Sequence, residues 1–250
     1  MLLTIATLVA VLAHQVSAHA RLFRVSVNGE SQGDGANKYI RTPENAEQNQ
    51  PIFGMEGFAS PAITCNTRGG TAAPSFVKAA AGDKLTFQWG HDNPDDPNDY
   101  PLASDHKGSV LTYIAPYTSG QPTGPIWSKL AEDSFDGTEW ATTKLINNRG
   151  KVELALPKSL APGKYLIRQE LLSMHKADYD CSEPGRSDRG AESYPHCVQI
   201  EVSGNGNQKP NQNFDFNEGY TCKDKGIFFN IYINQNDKYV PPGPRPWKAE

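Results

Sequence analysis

The chain of 250 residues lacks the features that would send it to a polyanion, a membrane or a structural zinc. Its 24 Lys and Arg against 28 Asp and Glu leave a formal charge of −4, so there is no basic excess to recognise nucleic acid, and a neutral partner is favoured. None of the four cysteines, Cys65, Cys181, Cys197 and Cys222, forms a CxxC pair. That removes the usual signature of a zinc site or a redox-active dithiol. No second apolar run of spanning length follows residue 18, and residues 241–250 carry no hydrophobic tail, so no membrane anchor is expected. Sustained helical periodicity, internal repeats and low-complexity linkers are absent too, which leaves one domain over residues 19–250 as the default.

What is present begins at the front. Residues 1–18 hold no charged side chain, run apolar from Leu2 to Leu12 and close on Val16-Ser17-Ala18, the pattern of a cleaved secretion signal. Cleavage after Ala18 makes His19 the first residue, but Ala18-His19-Ala20 is itself an AxA site, and cleavage after Ala20 would put Arg21 first. An even cysteine count in a secreted chain predicts disulfides; of the three pairings that four cysteines allow, the one expected is Cys65 with Cys197 and Cys181 with Cys222.

Strand composition recurs at 22–27, 84–89, 109–114, 151–156, 163–171, 197–202 and 227–233, mostly fenced by Gly, Pro, Asn or Asp. Asn28-Gly29 reads as a hairpin turn, and the many strand-turn units predict an all-β sandwich with Greek-key links. Between the strands, 33–57, 92–105 and 205–219 are too long for hairpin turns, with room for short helices at 44–48 or near 127–132.

The chemistry points to histidine. A first-residue His19 offers its α-amine and its imidazole to one metal ion from within a single residue. His106, in Ser104-Asp105-His106-Lys107-Gly108 at the mouth of a strand, is the second candidate ligand; alone it would read as a solvated loop histidine. Two imidazoles and an amine are three nitrogen donors that suit copper, with zinc also accepted by this donor type. Tyr194 would shield the remaining axis.

His19-Ala20-Arg21 with Val25-Ser26-Val27-Asn28-Gly29, His106-Lys107-Gly108-Ser109-Val110-Leu111-Thr112-Tyr113-Ile114-Ala115-Pro116, Ala161-Pro162-Gly163-Lys164-Tyr165-Leu166-Ile167-Arg168-Gln169-Glu170, Met174-His175, Tyr194-Pro195-His196-Cys197 and Tyr239-Val240-Pro241-Pro242-Gly243-Pro244 follow one another along the chain. Together they resemble the fungal lytic polysaccharide monooxygenases of auxiliary activity family nine. The resemblance implies an antiparallel β-sandwich of immunoglobulin or fibronectin type III kind with long loops. It also implies one copper ion, cycling between Cu(II) and Cu(I), held by the amine and ring of His19 and the ring of His106. Tyr194 corresponds to the axial ligand, and His175 to the histidine that hydrogen-bonds an oxygen species. His91 and His196 match nothing in the pattern and read as structural.

The chain departs from the family at three places. Glu192 stands where glutamine is usual, two residues before Tyr194, and replaces an amide with an acid able to carry charge or move a proton. Ser109 replaces a common proline and Gln169 a common histidine. Arg168 and Glu170 share one face of their strand, either as a structural ion pair or in support of the site.

The activity implied is a secreted, monomeric enzyme that oxidises C1 and/or C4 of β-1,4-glucan such as cellulose, using an external electron donor and oxygen or hydrogen peroxide. His175, Glu192 and Tyr194 form its catalytic group, and Tyr239 is the candidate for stacking on sugar rings, with Tyr39 a further one. The rival reading is a copper-binding or polysaccharide-binding protein that keeps the fold without the reaction. A glycoside hydrolase with paired carboxylates is a third.

Overall fold

A computed structural model describes residues 20–41, 50–183, 185, 189–234 and 238–248. The expected signal at 1–18, His19 and the suggested helix at 44–48 lie outside the described residues. Within them, eleven strands and four short helices build two packed sheets. The strands are β1 (Arg21–Val27), β2 (Glu30–Ser31), β3 (Ile40–Arg41), β4 (Ile52–Phe53), β5 (Val77–Ala80), β6 (Lys84–Gly90), β7 (Gly108–Pro116), β8 (Ser128–Asp133), β9 (Lys151–Ala155), β10 (Gly163–Ser173) and β11 (Glu192–Ser203). The helices are α1 (Gly54–Ala59), α2 (Ala62–Cys65), α3 (Ala141–Asn147) and α4 (Phe216–Gly219).

The smaller sheet has the order β2-β1-β6-β9 and the larger β3-β11-β10-β7-β8, with β4 and β5 also on β11. Asn28 and Gly29 both adopt positive φ, 50° and 89°, the backbone of a tight hairpin turn whose twist matches the flanking strands, and β1 and β2 pair across it. All pairings between named strands are antiparallel except β5 on β11, which lies parallel. The expected sandwich is thus present.

The larger sheet is covered on both faces, which explains why its strands do not simply alternate. Ile167, Leu171, Val198 and Ile200 meet Val25, Leu85 and Phe87 of the smaller sheet in one core. On the opposite face Leu111, Leu166 and Leu172 pack with Ile63, Phe216 and Tyr220 from α2, α4 and the segment after α4 in a second. From Tyr165 to Ser173, β10 is buried at every residue.

Two expectations fail locally. Residues 227–233 form turns rather than a strand, because near-neighbour oxygens take their N–H groups: those of Ile227 and Phe228 reach Asp224 O, and those of Tyr232 and Ile233 reach the Asn230 side chain. Near 127–132 there is no helix but β8.

β11 also starts at Glu192, five residues before the expected start. Pro195 is tolerated within it because backbone groups alternate sides along a strand. The N–H of Gln199 points to β3, donating to Tyr39 O, so position 195 points the same way, into the gap between the β3 pairs at 197–198 and the β4 pairs at 192–193.

The disulfides Cys65–Cys197 and Cys181–Cys222 are both formed, as expected. The first ties α2 to β11 and the second ties the β10–β11 connection to the segment after α4.

Candidate metal centre

The site is assembled by one rung of the larger sheet. Gly108 opens β7 opposite Ser173, the last residue of β10, and Ser173 lies opposite Glu192, the first residue of β11. Two residues before Gly108 is His106; two after Ser173 is His175. Three segments remote in sequence therefore place two imidazoles and a carboxylate at one end of the sheet. Gly108 is required there for space: a Cβ would meet Leu172 O at 1.8 Å.

One ligand atom from each of His106, His175 and Glu192 lies within 4.8 Å of the others. His106 Nε2 is 3.7 Å and His175 Nε2 3.9 Å from Glu192 Oε2, too far for hydrogen bonds, so these atoms converge without bonding to one another. The rings stack with centroids 3.8 Å apart and planes 26° apart. His106 Nδ1 is 2.8 Å from Asp105 Oδ1 and His175 Nδ1 is 2.8 Å from Ser173 Oγ, contacts that fix each ring and turn each Nε2 toward the shared point.

Glu192 is almost wholly buried. Its Oε1 accepts from Lys176 Nζ at 2.8 Å and its Oε2 from the Tyr194 hydroxyl at 2.9 Å. Burial pushes its carboxyl up, but the Lys176 bond, with the His175 and Tyr194 contacts, outweighs burial and holds it below the ordinary value. Burial and then the neighbouring Glu192 charge raise the Tyr194 phenol well above its usual range, so it stays protonated. His175 is lowered to about 4, first by burial and then by His106, and is a neutral imidazole near pH 6.

The remaining expected residues fall as follows. Tyr239 is buried, donating to Gly226 O at 2.8 Å, with its ring against Trp140 and Phe229. This corrects its expected contact with sugar, for the ring is enclosed by protein. Tyr39 is likewise buried, donating to Gly33 O. His196 is a core residue, edge-on to Trp89. His91 sits in a loop whose turn is held by Asp99, which accepts the N–H groups of His91 and Asp92. Ser109 keeps its place in the β7–β10 ladder opposite Leu172, and Gln169 donates to Thr112 across the same pair of strands. Arg168 and Glu170 are a buried ion pair on the face of the sheet opposite Glu192 and Tyr194.

Tyr232 was missed in the sequence. It is exposed, and its hydroxyl donates to the backbone oxygen of His175 at 3.1 Å, which sets a solvent-facing aromatic ring beside the histidines. The strand composition of 227–233 concealed the turn that presents it.

A family model for Auxiliary Activity family 9 (formerly GH61) matches residues 19–239. The chain belongs to this family. It is 45% identical over 252 residues to an AA9 family lytic polysaccharide monooxygenase A of Collariella virescens, with 97% of this chain and 86% of that protein covered. With the protein of the same name from Aspergillus terreus it shares 39% over 240 residues, covering 95% of this chain and 62% of the longer relative. Among solved structures, CvAA9A superposes with a TM-score of 0.84 at 45% identity over 92% of this chain and 98% of that one. Cel61B from Hypocrea jecorina, a glycoside hydrolase family 61 member, gives 0.73 at 25% identity over 92% and 100%.

Family 9 membership makes the chain an oxidoreductase of the lytic polysaccharide monooxygenase class, in which copper supports the oxidative cleavage of polysaccharide. The donors present fit that ion: imidazole nitrogens oriented through their other ring nitrogen, with a carboxylate and a neutral phenol beside them.

Proposed function

We propose that this protein is a secreted monooxygenase that opens β-1,4-glucan chains, cellulose first among them, by oxidation at C1 and/or C4, drawing on an external electron donor and on oxygen or hydrogen peroxide. The observation that carries this reading is the convergence of His106 Nε2, His175 Nε2 and Glu192 Oε2 at the end of one sheet rung. On this reading residues 1–18 are a cleaved signal and 19–250 one domain, which the family match from residue 19 supports.

His106 Nε2, with the amine and ring of His19, would hold the copper. Arg21, two residues along, opens β1, whose Leu22 and Val25 share one core with Tyr194 and Val198 of β11, the strand that carries Glu192. Bound copper supplies one-electron chemistry that activates oxygen or peroxide for hydrogen abstraction from a sugar carbon.

This chain's own groups bind, orient and handle protons. Tyr194 keeps its proton in a hydrogen bond to Glu192 Oε2, so it would face a bound ion only as a neutral phenol oxygen. When the Ser173 hydroxyl donates to Nδ1, His175 carries its hydrogen on Nε2, as a donor directed into the space it shares with His106 and Glu192. Glu192 Oε2, beside both histidines, can accept or return a proton there. Tyr232 offers a flat face for a sugar ring next to His175.

The test is incubation of the secreted protein with cellulose, copper and a reductant, followed by mass analysis of soluble products. C1- or C4-oxidised oligosaccharides are expected, and they disappear in His106→Ala. Tight copper uptake and cellulose binding with no products would establish the non-catalytic reading. Unoxidised sugars alone would point to hydrolysis. N-terminal sequencing is expected to read His-Ala-Arg; a start at Arg21 would remove the amine-imidazole chelate.

A further inference from the structure

Lys176 directly follows His175, and its backbone oxygen accepts from Gly190 N at 2.8 Å, which anchors the residue. Its side chain is 40% exposed, yet its ammonium lies 2.8 Å from the 5% exposed carboxylate of Glu192. The two oxygens of that carboxylate thereby face different partners: Oε1 faces the lysine, and Oε2 faces the Tyr194 hydroxyl and both Nε2 atoms.

We propose that Lys176 is a positioning residue for the copper centre, which clamps Oε1 of Glu192 so that the carboxylate keeps its charge offset and cannot turn fully toward the metal. The proposal rests on the copper reading above. A carboxylate with one oxygen unpartnered in a buried site turns toward the nearest positive charge, which here would be the metal ion. An ammonium at 2.8 Å supplies the competing charge from the solvent side. The pair then contributes little net charge, and Oε2 remains a hydrogen-bond acceptor for Tyr194 rather than becoming a ligand. Lys176 also connects the centre to the surface.

The test uses the full mature chain beginning at His19, as Lys176→Met, Lys176→Arg and Glu192→Gln single variants and the Lys176→Met/Glu192→Gln double variant. Copper is removed and Cu(II) is titrated back by competition, and spectra and reduction potentials are recorded on the loaded proteins. Lys176→Met is expected to bind Cu(II) on the order of tenfold more tightly, with a changed electron paramagnetic resonance spectrum and a lower reduction potential. Lys176→Arg should restore all three to wild-type values. In the Glu192→Gln background the lysine change should shift affinity by less than about threefold and leave the spectrum unaltered, since no carboxylate is left to release.

Equal shifts in both backgrounds would mean that the lysine acts only as a distant charge, and no shift in either would mean that it does not act on the metal; both overturn the proposal. Melting temperatures of the metal-free variants confirm that they fold, and Lys176→Gln replaces Lys176→Met if the latter does not. Failure of the wild-type chain to take up one Cu(II) would instead sink the copper reading itself.

Discussion

Replacing Arg168 by Met would break a buried ion pair on the far side of the sheet from the histidines. The Arg168 guanidinium donates to Thr64 O at 2.7 Å, to Ile63 O at 2.8 Å and to the Glu170 carboxylate, and lies 3.8 Å from the centroid of Phe216. Glu170 also accepts from the Tyr220 hydroxyl at 2.7 Å and from Ser193. Both charged side chains are 0% exposed. Met fills much of the volume but leaves a carboxylate without a counter-charge and two carbonyls without a donor. Removing one partner of such a pair costs about 3–5 kcal/mol, and the hydroxyls still donating to Glu170 keep the figure near the middle of that range.

For a domain of this size, about 4 kcal/mol corresponds to a melting temperature lower by about 8–16 °C. Removing both charges in Arg168→Met/Glu170→Met eliminates the stranded carboxylate, so the double variant should recover about 2 kcal/mol relative to Arg168→Met alone. The assay is thermal and urea unfolding of the metal-free protein followed by circular dichroism. A single variant melting within about 2 °C of the parent, or a double variant no more stable than Arg168→Met, would refute this account of the pair.

Three other outcomes follow from the same structure. The Cys65–Cys197 disulfide closes a loop of 132 residues, so Cys65→Ala/Cys197→Ala should lose about 5 kcal/mol in urea unfolding through the greater freedom of the unfolded chain. Burial holds His196 at about 3, whereas an unfolded imidazole takes up its proton near 6.5; the stability this provides is complete above about pH 6.5 and is lost as pH falls toward 3. The loss is about 3 kcal/mol at pH 4, and His196→Phe should flatten the unfolding free energy over that interval. Tyr232→Ala should weaken binding to cellulose by about three- to tenfold in a pull-down isotherm, the worth of one stacked ring, while leaving Cu(II) affinity unchanged.

How much of this was legible in the sequence depends on the range of the interaction that decides each feature. Asn28-Gly29 announced its hairpin because two adjacent residues suffice to set a turn, and the strand composition of 84–89 and 109–114 was read correctly for the same local reason. His106 stood out by its place at the mouth of a strand, the roles of His175 and Tyr194 came with the family resemblance, and the structure sets the three side chains at one end of the larger sheet. Exposure was not legible. Tyr239 and Tyr232 are alike in composition and both near the C-terminus, yet one is enclosed by Trp140 and Phe229 and the other stands in solvent. Segments remote in sequence make that difference. Lys176 was invisible for a similar reason: its partner is sixteen residues away, across the β10–β11 connection.

The candidate metal centre depends on the register of the larger sheet. Glu192 and Tyr194 share one face of β11, and Ser193 between them points to the other, where Glu170 takes its hydrogen bond. A slip of one residue between β10 and β11 would exchange the faces, turning Ser193 and Pro195 toward the histidines and burying the Glu192 carboxylate among Phe216, Tyr220 and a second carboxylate. Arg168, Glu170 and Ser193 oppose that slip from one face, and the approach of Gly108 to Leu172 O opposes the corresponding slip between β7 and β10. The buried ion pair therefore bears on the candidate site from a distance: it holds in register the strand whose opposite face carries the acid and the phenol.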